Sequence, residues 1–259
     1  MKKWIIRILM IMSSVVFIIS AIYIAKNLKE NKIQEKEFEN IANIVEEDIN
    51  IQDETNYTEN TQNEIKIEQK NNDYKKRKLN ELYNINSDFI GWISIENTSL
   101  NYPVMQNGDY YLRKNFYKNY SSYGTPYLAK QCNVKTSDNL IIYGHHIKNS
   151  QMFGVLENYK KENYYKNYSI VNFETIDENK NYKIFAVFKT VIESEQGFKY
   201  YAYIDLKDKN MYDSFVNKCK EISLYETNQI PIYGNKIITL STCEYSTQNS
   251  RLVIVAYQI

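Results

Sequence analysis

The chain has 259 residues, of which 43% are hydrophobic, and its formal net charge is +1. Three cysteines, an odd number at scattered spacings, argue against a disulfide framework. A charge this close to zero, with no motif that interleaves basic and aromatic residues, argues against a nucleic-acid partner.

The first predicted element is an apolar helix at the N-terminus. A short basic start precedes an almost wholly apolar segment, residues 4–25, and its uncharged part, residues 8–25, has 18 residues. That length is near the lower limit for crossing a bilayer about 30 Å thick. A cleavable signal peptide is the alternative, but no convincing small-x-small cleavage site follows the apolar residues. The sequence therefore favours an uncleaved membrane anchor over residues 1–26.

An acidic segment rich in Asn and Gln follows the anchor. Residues 27–72 contain 5 Lys and 12 acidic residues, a net charge of −7. The first half, residues 28–49, has apolar residues spaced for a helix, whereas the second half, residues 52–72, has the composition of a disordered segment. We predict a stalk over residues 27–74. Lysines flank both sides of the anchor, so the positive-inside rule does not decide its orientation.

The remaining residues, 75–259, are predicted to form one mainly β domain with peripheral helices. Short apolar runs separated by polar turns are typical of strands. The clearest runs are Trp92–Ile95, Pro126–Ala129, Asn139–Tyr143, Tyr182–Phe188 and Ile237–Leu240. Helical spacing of apolar residues indicates helices over Tyr74–Tyr83, Met152–Tyr159 and Asp208–Leu224.

The only two histidines are adjacent, His145 and His146, and they follow the apolar run Asn139–Tyr143 and a glycine. They are therefore expected on a loop at the tip of a strand, where catalytic groups often lie. Two exposed loop histidines, or a zinc site, are the other interpretations. The sequence has no CxxC, HxxxH or HExxH spacing to support zinc.

A thiol and a guanidinium lie close together near the C-terminus. Cys243 ends the run that begins at Ile237, and Arg251 opens the next apolar run. If the two runs pair as antiparallel strands, these residues face each other with Cα atoms roughly 5 Å apart. A cation beside a thiol suits a nucleophile whose substrate develops an oxyanion. The other two cysteines have simpler interpretations, since Cys219 lies on the apolar face of a predicted helix and Cys132 lies in a polar stretch.

These motifs resemble a sortase, and specifically class B. The segment Thr239–Cys243, an arginine eight positions after the cysteine, and Tyr143–His146 followed by a Met-Phe pair carry the resemblance. Further matching segments, in the family's order, are Asp88–Ile93, Asn101–Gln106, Asp109–Leu112, Asn115–Phe116 and Gly124–Thr125. The resemblance implies an eight-stranded sortase-type β-barrel over residues 75–259.

The resemblance also implies roles for individual residues. Cys243 would be the nucleophile, His145 the general acid and base, and Arg251 the group that stabilises the oxyanion. His146 stays open as the alternative base, and His145 is preferred because the family's histidine directly follows the glycine. Three further residues match positions in the substrate groove of class B enzymes, namely Leu112, Ser241 and Glu244. No cofactor and no metal are implied.

The implied activity is transpeptidation at the cell surface. The enzyme would cleave an NPxTN-like C-terminal sorting signal of a surface protein through a thioacyl intermediate. It would then join the threonine carbonyl to an amine of peptidoglycan or its precursor. Water as the acceptor, which would make the chain a cysteine peptidase, and an LPxTG-like or pilin-type substrate are the alternatives. The implied location is the cell membrane, with one span and an extracellular catalytic domain.

Overall fold

The chain folds into a long N-terminal helix and a closed β-barrel. The computed structural model describes residues 2–46, 76–147, 150–192, 195, 197–244 and 249–259. Contacts between Cα atoms divide the chain into two compact units, Met1–Ile44 and Val45–Ile259.

Helix α1 spans Lys2–Glu46. Within the described residues it is the one helix long and apolar enough to cross a membrane, judged by length and composition. Its large apolar side chains from Trp4 to Ile24 are exposed, Phe17 to 75%. The helix predicted over residues 28–49 is confirmed as far as Glu46. The segment predicted to be disordered, residues 52–72, lies outside the described residues.

Eight strands close into the barrel, as the resemblance implies. Around the barrel their order is β1-β2-β3-β4-β7-β8-β6-β5. The strands are β1 (Phe89–Ser94), β2 (Asn101–Met105), β3 (Tyr127–Leu128), β4 (Asn139–Tyr143), β5 (Ile170–Glu174), β6 (Asn179–Val191), β7 (Ile237–Glu244) and β8 (Ser250–Gln258).

Strands β4, β7 and β8 are consecutive neighbours in the barrel wall. Strand β7 pairs in parallel with β4 and antiparallel with β8. Both sides of β7 are covered, and Ile237, Ile238, Thr239 and Leu240 are each 0% exposed. Strands covered on both faces have continuous apolar runs rather than alternation, which is why this run is uninterrupted in the sequence. Each fully buried Ile or Leu contributes about 1.5–3 kcal/mol to the stability of the barrel.

Short helices lie around the barrel. Residues 76–85 form helix α2, and α3 (Glu162–Asn167) and α4 (Lys209–Glu221) follow in the chain. Asp208 caps α4 by accepting a hydrogen bond from the Met211 amide at 2.9 Å. The buried face of α4 includes Cys219, which is 0% exposed, as its helical spacing predicts. The helix predicted from Met152 is a 3₁₀ helix over Phe153–Lys160.

Candidate active site

The candidate nucleophile and the candidate cation lie opposite each other on neighbouring strands. Cys243 of β7 pairs with Arg251 of β8 in the antiparallel register, as predicted. Both side chains are half-buried. The Arg251 Nη1 atom donates a hydrogen bond to the Ser250 carbonyl at 3.1 Å. That bond holds the guanidinium against the first residue of β8.

His145 follows the end of β4, which neighbours β7 on the side away from β8. Strand β4 runs parallel to β7 with Tyr143 opposite Ser241. His145 follows two residues after Tyr143, just as Cys243 follows two residues after Ser241, so the parallel pair brings both residues to the same end of the barrel. The Gly144 amide continues the ladder by donating to the Ser241 carbonyl at 3.2 Å. His145, Cys243 and Arg251 thus lie at, or just beyond, the same end of three neighbouring strands, β4, β7 and β8.

The His145 ring is held by a backbone carbonyl. Its Nε2 atom lies 2.7 Å from the carbonyl oxygen of Leu112. Because a carbonyl only accepts, Nε2 carries a proton, and in the neutral ring Nδ1 is the atom that accepts one. Burial lowers the pKa of His145 below its ordinary value, the bond to Leu112 opposes this shift, and the charge of Arg113 adds to it. The protein therefore favours the neutral imidazole.

The second histidine has a different partner. His146 Nδ1 lies 3.0 Å from the carbonyl oxygen of Cys243. No hydrogen bond among the described residues joins the thiol of Cys243 to the His145 ring. The two neighbouring imidazoles therefore have distinct positions, one held by Leu112 and one held by the backbone of the candidate nucleophile.

Three tyrosines, Tyr127, Tyr143 and Tyr200, lie close enough to Arg251 for its charge to lower their pKa values, which burial raises, and sequence reasoning did not single them out. The Tyr127 and Tyr143 rings lie 5.6 Å apart, and the Tyr200 hydroxyl lies 2.6 Å from the Ser241 hydroxyl. Burial raises the pKa of Tyr200 to about 12, although the Ser241 bond and the charge of Arg251 oppose the shift. These phenols stay neutral at physiological pH, so they give the cation polar neighbours without a competing negative charge.

The three predicted substrate-groove residues have different surroundings. Leu112 is 39% exposed, and its carbonyl holds His145. Ser241 is buried, and its hydroxyl meets Tyr200. Glu244 pairs with Ser250 at the end of β7, while its side chain lies outside the described residues. Contact of these residues with substrate stays a prediction. In the described part of the chain, no group of three or more His, Cys, Asp or Glu side chains could hold a metal ion.

Comparison with known proteins gives a consistent result. A family model described as the sortase domain matches residues 93–259. Sortase B of Staphylococcus aureus is 31% identical over 211 residues, which cover 79% of this chain and 84% of the relative. A solved sortase B–substrate complex of Staphylococcus aureus superposes with a TM-score of 0.74 at 27% identity, covering 89% of this chain and 98% of the other. A solved structure of sortase B complexed with triglycine gives a TM-score of 0.73 at 26% identity, with coverage of 89% and 99%.

Proposed function

Because this chain belongs to the sortase family and is a cysteine transpeptidase of the class B type, we propose that it cleaves an NPxTN-like sorting signal with Cys243, His145 and Arg251. One observation carries the assignment of residues. His145, Cys243 and Arg251 lie at, or just beyond, the same end of three neighbouring strands, β4, β7 and β8. A nucleophile, a proton donor and an oxyanion stabiliser are the groups that acyl transfer requires.

The first half of the proposed reaction forms a thioacyl enzyme. The neutral His145 ring takes up a proton as the Cys243 thiol loses one, and the thiolate sulfur attacks the carbonyl carbon of the signal's threonine. The electron pair of the C=O bond moves to oxygen. The Arg251 guanidinium stabilises this oxyanion. As the oxyanion collapses, the C–N bond breaks, and protonated His145 gives its proton to the leaving amine. The threonine carbonyl remains joined to sulfur as a thioester.

The second half transfers the acyl group to an amine. An amine of peptidoglycan or its precursor attacks the thioester carbon, His145 takes the proton from the attacking nitrogen, and the Cys243 thiolate leaves. The structure of sortase B complexed with triglycine supports an amine acceptor, since a glycine peptide presents an N-terminal amine. Water as the acceptor would make the same site a peptidase, and an LPxTG-like or pilin-type signal is the alternative substrate.

The proposed organisation places this site outside the cell. Residues 1–26 would be the anchor, residues 27–74 the stalk and residues 75–259 the catalytic domain. The apolar part of α1, with its large side chains exposed, supports a membrane-spanning anchor. Surface proteins and cell-wall amines as substrates require the catalytic domain to be extracellular on a single-pass protein.

A panel of fluorogenic peptides tests the proposed activity. The full-length protein in detergent is mixed with NPxTN-like and LPxTG-like peptides, with and without triglycine. The products are identified by mass spectrometry. We expect cleavage of the NPxTN-like peptide and an amide product that contains triglycine. Hydrolysis alone in the presence of triglycine would favour the peptidase.

Variants test the roles of the residues in the same assay. Cys243→Ala should abolish cleavage. Arg251→Lys should lower kcat by about 10²–10³-fold, because it keeps the charge but loses the planar fork beside the oxyanion. Arg113→Lys is the matched control, since Arg113 is exposed and is not proposed to contact the oxyanion. Unchanged cleavage by Cys243→Ala would show that another residue is the nucleophile.

A further inference from the structure

The ladder between β4 and β7 ends in an unusual way beside Cys243. The Gly144 amide donates to the Ser241 carbonyl at 3.2 Å, and the Thr242 hydroxyl donates to the Gly144 carbonyl at 2.8 Å. In a parallel ladder the same pattern repeats every two residues. The next bond would join the His146 amide to the Cys243 carbonyl.

A side chain takes the place of that main-chain bond. The Nδ1 atom of His146 lies 3.0 Å from the Cys243 carbonyl oxygen. Since the carbonyl has no proton to give, Nδ1–H must be the donor. The imidazole thereby extends the ladder by one bond, while its own backbone leaves the strand direction. His146 instead forms an antiparallel bridge with Met152.

The neighbouring backbone fixes the position of this ring. A Cβ atom at Gly154 would lie 3.3 Å from His146 Cδ2 and 2.0 Å from the Ile147 carbonyl oxygen. Only glycine leaves room there for both the ring and the chain that follows it. The Phe153 amide donates to the His145 carbonyl at 3.0 Å, which closes the same loop against the histidine pair.

We propose that His146 is a positioning residue, whose Nδ1–H holds the backbone of Cys243 and so fixes the thiol between His145 and Arg251. This inference rests on the proposed function of Cys243. Cys243 is the second-last residue of β7, where a strand otherwise frays. Acyl transfer depends on this placement, because a misplacement of about 1 Å costs on the order of 10²-fold in rate.

The inference assigns different tasks to the two histidines. His145 exchanges protons with the substrate, whereas His146 needs only a hydrogen-bond donor at the position of Nδ1. An asparagine side chain has its amide nitrogen the same number of bonds from Cβ as Nδ1. A glutamine amide lies one bond further out. Asparagine at position 146 should therefore replace the histidine, and glutamine should do so less well.

The experiment compares His146→Ala, His146→Gln and His146→Asn in the full-length protein, with His145→Asn as the reference for a lost proton-transfer group. We expect His146→Ala to lower kcat by about 10–100-fold with KM little changed. His146→Gln should resemble His146→Ala. The kcat of His146→Asn should be within about threefold of that of the unmodified enzyme, because the asparagine amide restores the bond that positions Cys243. The shape of the pH profile should be the same for all active position-146 variants.

Two results would overturn the inference. Full activity of His146→Ala would show that the bond is dispensable. Equal loss in His146→Asn and His146→Ala, with an altered pH profile, would show that His146 transfers protons. Hydrogen exchange at residues 242–244 gives a readout that does not need turnover, and it should be faster in His146→Ala and restored in His146→Asn. If the unmodified protein cleaves no sorting signal, the proposed function fails, and this exchange measurement still decides the role of His146.

Discussion

Two adjacent histidines differ in which ring nitrogen is engaged. His145 uses Nε2 to bond the Leu112 carbonyl, and His146 uses Nδ1 to bond the Cys243 carbonyl. In the neutral His145 ring, Nδ1 is consequently left as the acceptor. The same backbone that fixes the ring thus sets the tautomer suited to accepting a proton from an attacking amine. In the neutral His146 ring the acceptor is Nε2 instead, so the choice of His145 as the acid and base stays a prediction.

The dependence of the His145 pKa on the charge of Arg113 can be tested. Burial and the nearby charge of Arg113 both lower this pKa, so Arg113→Gln should raise it toward the ordinary value of about 6.5. A histidine NMR titration of the full-length protein would measure the shift. Lys114→Gln is the control, because Lys114 lies over the Tyr110 ring. A pKa unchanged by Arg113→Gln would contradict the electrostatic contribution of Arg113.

The direction of the shift also sets how stability depends on pH. A buried histidine with a lowered pKa binds its proton more readily in the unfolded chain. The contribution of the neutral ring to stability is therefore complete above about pH 6.5 and is lost as the pH falls toward the pKa of the folded state. Arg113→Gln should weaken this dependence.

Sequence reasoning reaches some residues of the site and not others, for reasons of distance along the chain. Cys243 and Arg251 are eight positions apart on paired strands, so their register follows from a single loop. The contact of His145 with Leu112 joins residues 33 positions apart. The Tyr200 contact with Ser241 spans 41 positions. Such contacts depend on the closure of the barrel, which periodicity in the sequence does not specify.

At the scale of elements, the loop after the histidines is held in an unfavourable conformation. Met152 has φ 50° and ψ −131°, a region that residues other than glycine rarely adopt. Its amide donates a hydrogen bond of 3.0 Å to the Tyr102 hydroxyl of β2. Met152 is 1% exposed and pairs with His146 across the loop. A contact from β2 thereby stabilises the turn that returns the chain to the 3₁₀ helix at Phe153.

Removing that hydroxyl should loosen the loop. Tyr102→Phe leaves the buried amide of Met152 without this acceptor, and we expect a loss of about 1–3 kcal/mol in the free energy of unfolding. The measurement is the urea midpoint of the full-length protein in detergent, together with kcat for the sorting-signal peptide. We expect kcat to fall as well, because the loop carries the backbone of both histidines.

Tyr212→Phe is the matched control for this substitution. The Tyr212 hydroxyl is buried without a hydrogen-bond partner among the described residues, so its removal should cost little or stabilise the fold. An equal loss of stability in both variants would show that the Tyr102 hydroxyl has no special role in the loop.

The sequence predicts the strands best where buried apolar residues follow one another without interruption. The run Asn139–Tyr143 is strand β4 with the same bounds. Strand β6 spans Asn179–Val191, longer than the apolar run within it, because its polar first residues pair with β5 at the edge of the apolar core. The parallel pairing of β4 and β7 could not be predicted from the sequence, since these strands are separated by β5, β6 and α4. That pairing places Tyr143, two residues before His145, opposite Ser241, two residues before Cys243.

The net charge changes sign along the chain. Residues 1–26 have a net charge of +4, residues 27–72 of −7, and the remaining residues of +4, which together give +1. If residues 1–26 anchor the protein as proposed, an acidic segment that follows them would be repelled by an anionic membrane surface.

We predict that the proposed anchor places the barrel outside the cell and the N-terminus inside. Tyr120 is 69% exposed, so Tyr120→Cys in the Cys243→Ala background should react with a membrane-impermeant maleimide in intact cells. Cys132 and Cys219 are buried and should stay unlabelled. Lys3→Cys in the same background lies before the apolar segment and should react only after the membrane is permeabilised. Labelling of Tyr120→Cys only after permeabilisation would place the barrel inside the cell, where it could not join surface proteins to the wall.

Loss of the N-terminal residues from the mature chain would instead identify a cleaved signal peptide, and the barrel would then be recovered in the medium rather than in the membrane fraction.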